Sequence, residues 1–307
     1  MLMDHDTLMG ELERDAEEAE SDPDPDLGPW KRYLVEPHHR VNLSLLLDVG
    51  VPDVLRGQAW KLFTRSHVRF DLRTFEEILQ SSFVDYDAHH AIDKDISRTF
   101  PRHALFETAE GKQQLSSVLV AYATMDQQVG YCQGMGFIAA FLLCYMKPSD
   151  AFWVMLAVMQ SKEYNLRALF LPGMPNFQPV MQELGRFIDI LLPSVANKLA
   201  RCDMDCTIFA SQWFLTLFVY NMPFEFVARV WDLFFVKSWA AIYRVAVALV
   251  DLIADELLLE QNSDMESISL VFKSLPSKLE VPGAISRLLH RAMQLNLDEG
   301  DIRTFRT

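Results

Sequence analysis

Apolar residues recur along this chain at helical rather than alternating spacing. Leu55, Ala59, Leu62 and Phe63 fall at i, i+4, i+7 and i+8, so a helix places all four on one face. Leu115, Val118, Leu119 and Tyr122 form a second stripe, and Val180, Leu184, Phe187, Ile188 and Leu191 a third. Phe209, Trp213 and Leu217 give a fourth, followed by Phe226, Val227, Val230, Trp231 and Phe234. No stretch reads as a set of alternating strands, so the expected fold class is all-α, with many helices and no significant β-sheet. The punctuation agrees. Gly50 is placed to end a helix and Pro52 suits the first turn of the next. Thr74 and Glu77 form a capping-box pattern, and Ser263-Asp264-Met265-Glu266 looks like another. Ser149-Asp150 precedes the helix of Phe152 and Trp153, and Pro172-Gly173-Met174-Pro175 is the clearest internal loop.

Residues 1–27 break this pattern. They are crowded with Asp and Glu, end in Ser21-Asp22-Pro23-Asp24-Pro25-Asp26, and have too little apolar content to offset the entropy of ordering. They are expected to form an acidic, disordered tail, either purely solvating or regulatory. Trp30 and Tyr33 open the helical region, read as residues 28–307.

Composition narrows the function classes. A 307-residue chain that is 50% hydrophobic can bury a large core. Its net charge of −14 argues against nucleic acid as a partner. The four cysteines, Cys132, Cys144, Cys202 and Cys206, suggest neither a disulfide framework nor a zinc ribbon. Cys202 and Cys206 are one helical turn apart, which reads as packing. His38-His39 and His89-His90 lack the i, i+4 spacing of a helical metal site. Gly111-Lys112 lacks the glycine and Ser/Thr of a phosphate-binding loop, so no nucleotide site of its own is expected. Phe137–Met146 is too short for a bilayer that needs about 20 residues, and the stretch from 240 to 259 is interrupted by Arg244, Asp251, Asp255 and Glu256. No secretory or lipidation signal is read at either end. The chain is therefore expected to be cytoplasmic without direct membrane insertion.

Two short segments carry the candidate chemistry. The first is Ile92-Asp93-Lys94-Asp95-Ile96-Ser97-Arg98-Thr99-Phe100-Pro101, with Arg98 near a helix–loop boundary. Asp95, three residues earlier, can pair with Arg98 or hold a neighbouring backbone amide. The second is Gly130-Tyr131-Cys132-Gln133-Gly134-Met135, whose glycines permit close backbone approach ahead of a strongly apolar helix. Free amides at that helix N-terminus would favour a phosphate-rich partner. On the residues alone, Arg98 can equally be a local ion pair and Gln133 part of a packed turn. Together they are the pair that phosphoryl transfer uses: an arginine neutralises charge on the transferring group, and a glutamine orients the attacking water.

At these residues the chain resembles the TBC-domain family of Rab GTPase-activating proteins, in which motifs of the form I-x-x-D-x-x-R and Y-x-Q-G occur in this order. Gly50-Val51-Pro52 with Arg56-Gly57 and Trp60, then Ala210-Ser211-Gln212-Trp213-Phe214, then Arg229-Val230-Trp231-Asp232-Leu233-Phe234-Phe235 extend the likeness over roughly residues 41–259. The resemblance implies that Arg98 and Gln133 are the catalytic fingers. It implies supporting roles for Asp95, Tyr131 and Gly134. The implied partner is a Rab-family small GTPase in its GTP-bound state, whose GTP and Mg are its own; the chain would need no cofactor. A role in vesicle trafficking, with peripheral recruitment to membranes through the GTPase, follows from the same likeness. Two departures stand out: Gly136 where the family commonly has asparagine, which implies a different anchoring of the glutamine loop, and Lys237-Ser238 where the family often has Glu-Gly, which implies altered packing or partner choice. Arg98, Arg102 and His103 cluster positive charge near the proposed site. The alternative reading is a non-catalytic helical module that binds a GTPase or a trafficking partner as a scaffold.

Overall fold

The computed structural model describes residues 27–35, 42–66, 73–82, 84, 86–297, 300 and 302. The acidic stretch 1–26 and His38-His39 lie outside the described residues; Leu27 is buried and starts the first described helix. The fold is all-α, with no strand among the described residues. The backbone divides between Ser161 and Lys162 into two compact units within the region read as 28–307.

In the first unit, α1 (Leu27–Val35) buries Trp30, whose indole Nε1 donates to the Gly50 carbonyl at 2.9 Å. α2 (Leu43–Val49) is capped by the Asn42 side chain and ends at Gly50, whose φ of 101° is the left-handed backbone that glycine adopts without a Cβ penalty. α3 (Asp53–Phe63) starts directly after Pro52. Its Trp60 is fully buried, with its ring centroid 5.9 Å from Phe141 and 4.7 Å from Tyr145. Arg56 is also buried, paired with Asp53 and lying 5.8 Å over the Tyr145 ring. Gly57 lies so close to Tyr145 that a Cβ would overlap its carbonyl oxygen. The opening motif is thus a packing joint between α3 and the segment at Tyr145.

α4 (Phe75–Gln80) carries the capping box read from sequence: Thr74 Oγ1 accepts from the Glu77 amide at 3.2 Å, and Glu77 Oε2 accepts from the Thr74 amide at 2.6 Å. α5 (Tyr86–Ile96) and α6 (Ala104–Glu107) lead to α7 (Ala109–Met125), which packs against all three preceding helices and against α8 (Met135–Leu143) and α9 (Pro148–Gln160). Every residue of α8 is buried, because hydrophobic residues occupy all its faces except at Gly136. Ser149 and Asp150 do not precede α9. Pro148 occupies its first turn with Lys147 as N-cap, since proline's fixed φ and missing N–H suit that position.

The second unit opens with a 3₁₀ turn, Leu166–Leu169, followed by α10 (Phe177–Leu191), α11 (Pro193–Arg201) and α12 (Cys206–Leu215). Cys202 and Cys206 are not on one helix. The chain breaks between them at Asp203 (φ 51°), and both thiols are buried. α13 (Phe224–Leu252) packs against α10, α12, α14 (Ala254–Leu257) and α17 (Ala284–Gln294). α15 (Met265–Lys273) and α16 (Leu275–Leu279) precede α17. Asp264, with Ser267 as its reciprocal partner, forms the α15 capping box, one residue later than the Ser263 pattern. By length and mean hydropathy (1.7), α13 could cross a membrane, but 78% of that window is buried in protein. It is also interrupted: Ser238 has φ 51° and ψ −145°, and its hydroxyl donates to the Glu163 carbonyl at 2.6 Å. This serine stands at the position where Glu-Gly was the family expectation, in a backbone conformation that favours glycine.

Candidate functional site

The site is organised by one carboxylate. Asp95, in the last turn of α5, is 1% exposed. Its Oδ1 accepts from the Arg98 guanidinium, and its Oδ2 accepts from the Tyr131 hydroxyl and from the Gly134 amide at 3.4 Å. The two roles allowed to Asp95 by its spacing, pairing with Arg98 and holding a backbone amide, are both present. Arg98 and Tyr131 lie on loops that are 33 residues apart in sequence and meet on the two oxygens of a single side chain.

Local rules explain each loop. α5 stops at Ile96, and the chain turns with the Arg98 amide donating to the Asp95 carbonyl at 3.1 Å. Thr99, fully buried, donates its hydroxyl to that same carbonyl at 2.8 Å. Phe100 adopts φ 45° and sets its ring against Phe106 (6.2 Å) and edge-on to Phe137 of α8 (5.8 Å), which fixes the loop before Pro101. The second loop leaves α7 at Asp126. The Asp126 carboxylate accepts from Tyr122 Oη at 3.0 Å and from the Val129 amide at 3.3 Å, while its carbonyl accepts from the Gly130 amide at 2.7 Å. Gly134 then caps α8 at φ 105°. Gln133, the residue before that cap, is exposed, and the Arg98 side chain is 45% exposed. Both side chains are open to a second molecule, while Asp95 and Gly134 are buried and Tyr131 is half-buried.

The start of α8 is not an open anion site. The Gly134 amide faces Asp95, and the Met135 and Phe137 amides find loop carbonyls at 3.2 and 3.1 Å. A negative group already occupies the helix N-terminus, as the macrodipole favours. His103 also departs from the sequence reading. Its Nδ1 accepts from the Leu105 amide at 3.3 Å, capping α6, and its ring packs 5.6 Å from Phe106. It is a structural cap of α6, and Arg98 and Arg102 are the exposed basic side chains of that segment.

Burial pushes the Tyr131 phenol far above its ordinary range, and its hydrogen bond to Asp95 and the carboxylate's charge add to the shift. Tyr131 is therefore a neutral donor, a strut between loops. The Cys132 thiol is raised by burial too. Among the described residues no group of three or more His, Cys, Asp and Glu side chains could hold a metal ion. Thr99, Phe100 and Asp126 escaped the sequence reading. The only signal for Thr99 was its place immediately after Arg98; Asp126 could have been suspected as an acidic residue at a helix end preceding a glycine.

The site thus exposes an arginine and a glutamine on two loops that one buried carboxylate joins. The comparisons supply the family. Residues 53–258 match the model of the Rab-GTPase-TBC domain, so the chain belongs to that family. It is similar to the Rab GTPase-activating protein tbc-11 of Caenorhabditis elegans, 31% identical over 269 residues that cover 85% of this chain and 28% of that protein. It is also similar to the GTPase-activating protein GYP5 of Saccharomyces cerevisiae, 36% identical over 227 residues, covering 71% and 24% of the two chains. The chain thus spans about a quarter of the length of these relatives. In fold it matches the crystal structure of the Chlamydomonas flagellar RabGAP TBC domain, with a TM-score of 0.74 at 21% identity, covering 96% of this chain and 97% of that one.

Proposed function

We propose that this chain accelerates GTP hydrolysis by a Rab-family GTPase in its GTP-bound state, supplying Arg98 and Gln133 in trans. The observation that carries the reading is Asp95: one buried carboxylate ties the arginine loop to the glutamine loop, so two exposed groups from distant sequence are presented as a unit. Such preorganisation matters because phosphoryl transfer asks the protein mainly for positioned charge. An arginine supplied in trans raises the rate by about 10³–10⁵, or ~4–7 kcal/mol of barrier. Gln133 would orient the hydrolytic water. Asp95, Tyr131 and Gly134 position these two groups and touch no substrate. Nucleotide and Mg belong to the partner, and the chain would reach a membrane surface from the cytoplasm through that partner.

The test is single-turnover GTP hydrolysis by a panel of GTP-loaded Rab proteins, with the wild-type chain, Arg98→Ala and Gln133→Ala. Acceleration of at least one Rab that either substitution removes is the expected result. Binding of a Rab without acceleration would replace the catalytic reading with a scaffold.

A further inference from the structure

We propose that Thr99 and Gly136 are positioning residues: the Thr99 hydroxyl seated over Gly136 sets the spacing between the arginine loop and the start of α8. The inference rests on reading Arg98 and Gln133 as the fingers. Gly136 is within the first turn of α8, and its φ lies outside the left-handed region, so what demands glycine there is space. A Cβ at 136 would lie 3.1 Å from Thr99 Oγ1, 3.4 Å from the Tyr131 hydroxyl and 3.9 Å from Asp95 Cβ. Neither near neighbour can retreat freely. Thr99 is fully buried, stiff at χ1, and its hydroxyl is engaged with the Asp95 carbonyl at 2.8 Å. The Tyr131 hydroxyl, held on the Asp95 carboxylate, is already at contact distance on the other side and leaves the methyl no room to shift that way.

A methyl group at 136 therefore moves one loop against the other by a few tenths of an ångström. Catalytic groups tolerate misplacement of only about 0.5 Å, and 1 Å costs about 10²-fold in rate. Elsewhere in a helix, replacing glycine with alanine stabilises the fold. Here the sign reverses, and it reverses because of Thr99.

The experiment is a cycle of Gly136→Ala, Thr99→Ala and the double variant in the full chain. Each is measured with the Rab that the wild type accelerates most, and each is melted thermally. Gly136→Ala should lower kcat about tenfold with KM within about twofold, and Thr99→Ala in that background should restore most of the loss. If Gly136→Ala does not fold, the comparison becomes the double variant against Thr99→Ala, which should match within about threefold. A folded Gly136→Ala with wild-type kcat, or a loss that Thr99→Ala leaves unrelieved, overturns the proposal. Coupling seen in melting temperature but absent from kcat means the contact is only structural, which also overturns it. A wild-type chain that accelerates no Rab sinks the proposed function itself, and the positioning role with it.

Discussion

Replacing Asp95 with asparagine tests whether one carboxylate joins the two loops. The amide keeps a single acceptor oxygen and puts two N–H donors where the carboxylate offered lone pairs. With its oxygen toward Tyr131 and Gly134, the NH₂ group faces the Arg98 guanidinium. That side chain is 45% exposed and can turn to water, so losing the pair costs no more than ~1 kcal/mol. The bonds from Tyr131 and Gly134 survive but lose their charge assistance, about 1 kcal/mol each. In the opposite orientation a buried hydroxyl and a buried amide go unpaired at ~1–3 kcal/mol each. The first orientation is the less costly, and Asp95→Asn should destabilise by ~2–3 kcal/mol. Asp95→Ala, which leaves the Tyr131 and Gly134 donors without their acceptor and opens a void, should cost ~4 kcal/mol. Urea unfolding followed by helical circular dichroism and tryptophan fluorescence measures both, and single-turnover hydrolysis should show Asp95→Asn losing rate along with stability. An Asp95→Asn protein within ~0.5 kcal/mol of wild type, with Asp95→Ala no worse, refutes the reasoning.

Three further outcomes are expected. Arg98→Lys keeps the charge but not the planar fork of donors, so it should lose at least about 10²-fold in single-turnover rate with little change in unfolding midpoint. The raised pKa of Tyr131 means the folded state holds that proton more tightly than the unfolded chain, whose value is the ordinary 10.0. The resulting stability is fully present below pH 10 and is lost as pH rises toward the folded-state value. Alkaline unfolding curves should show that fall in the wild type and less of it in Tyr131→Phe. At Ser238, alanine and glycine both remove the hydroxyl bond to Glu163, but only glycine relaxes the backbone at φ 51°. Ser238→Gly should be more stable than Ser238→Ala by ~1 kcal/mol, and the reverse order in calorimetry would show that the backbone there is unstrained.

The fold was legible where side chains and backbone act within one turn. Thr74 and Glu77 cap as expected because both bonds lie inside a four-residue motif. Adjacent cap-competent residues were harder. Ser263 and Asp264 compete, and Asp264 takes the cap, its carboxylate accepting from the Ser267 amide at 2.8 Å. Leu217 extends the Phe209–Trp213 stripe yet lies beyond α12, with φ 47°; burial maintained the pattern after the helix had ended. In the site, the Asp95–Arg98 pair is an i, i+3 relation and could be read directly. The bonds from Tyr131 and Gly134 to Asp95 span 36 and 39 residues and depend on how α5 and α8 pack, which no local rule contains. The His103 cap is local, its Nδ1 accepting from the Leu105 amide two residues on, and it escaped because histidine is not among the usual N-cap residues.

Arg98 is not idle before a partner arrives. Its guanidinium already has a carboxylate, so in the proposed reaction its move onto a triphosphate is an exchange of one anion for another. Ground-state affinity gains little from such an exchange, since the interaction given up resembles the one received. Charge that develops later, between the β- and γ-phosphates, has no counterpart in Asp95 and is where the arginine's advantage falls. In the proposed reaction, an arginine held this way would add little to how tightly the GTPase docks and much to how fast a docked one reacts.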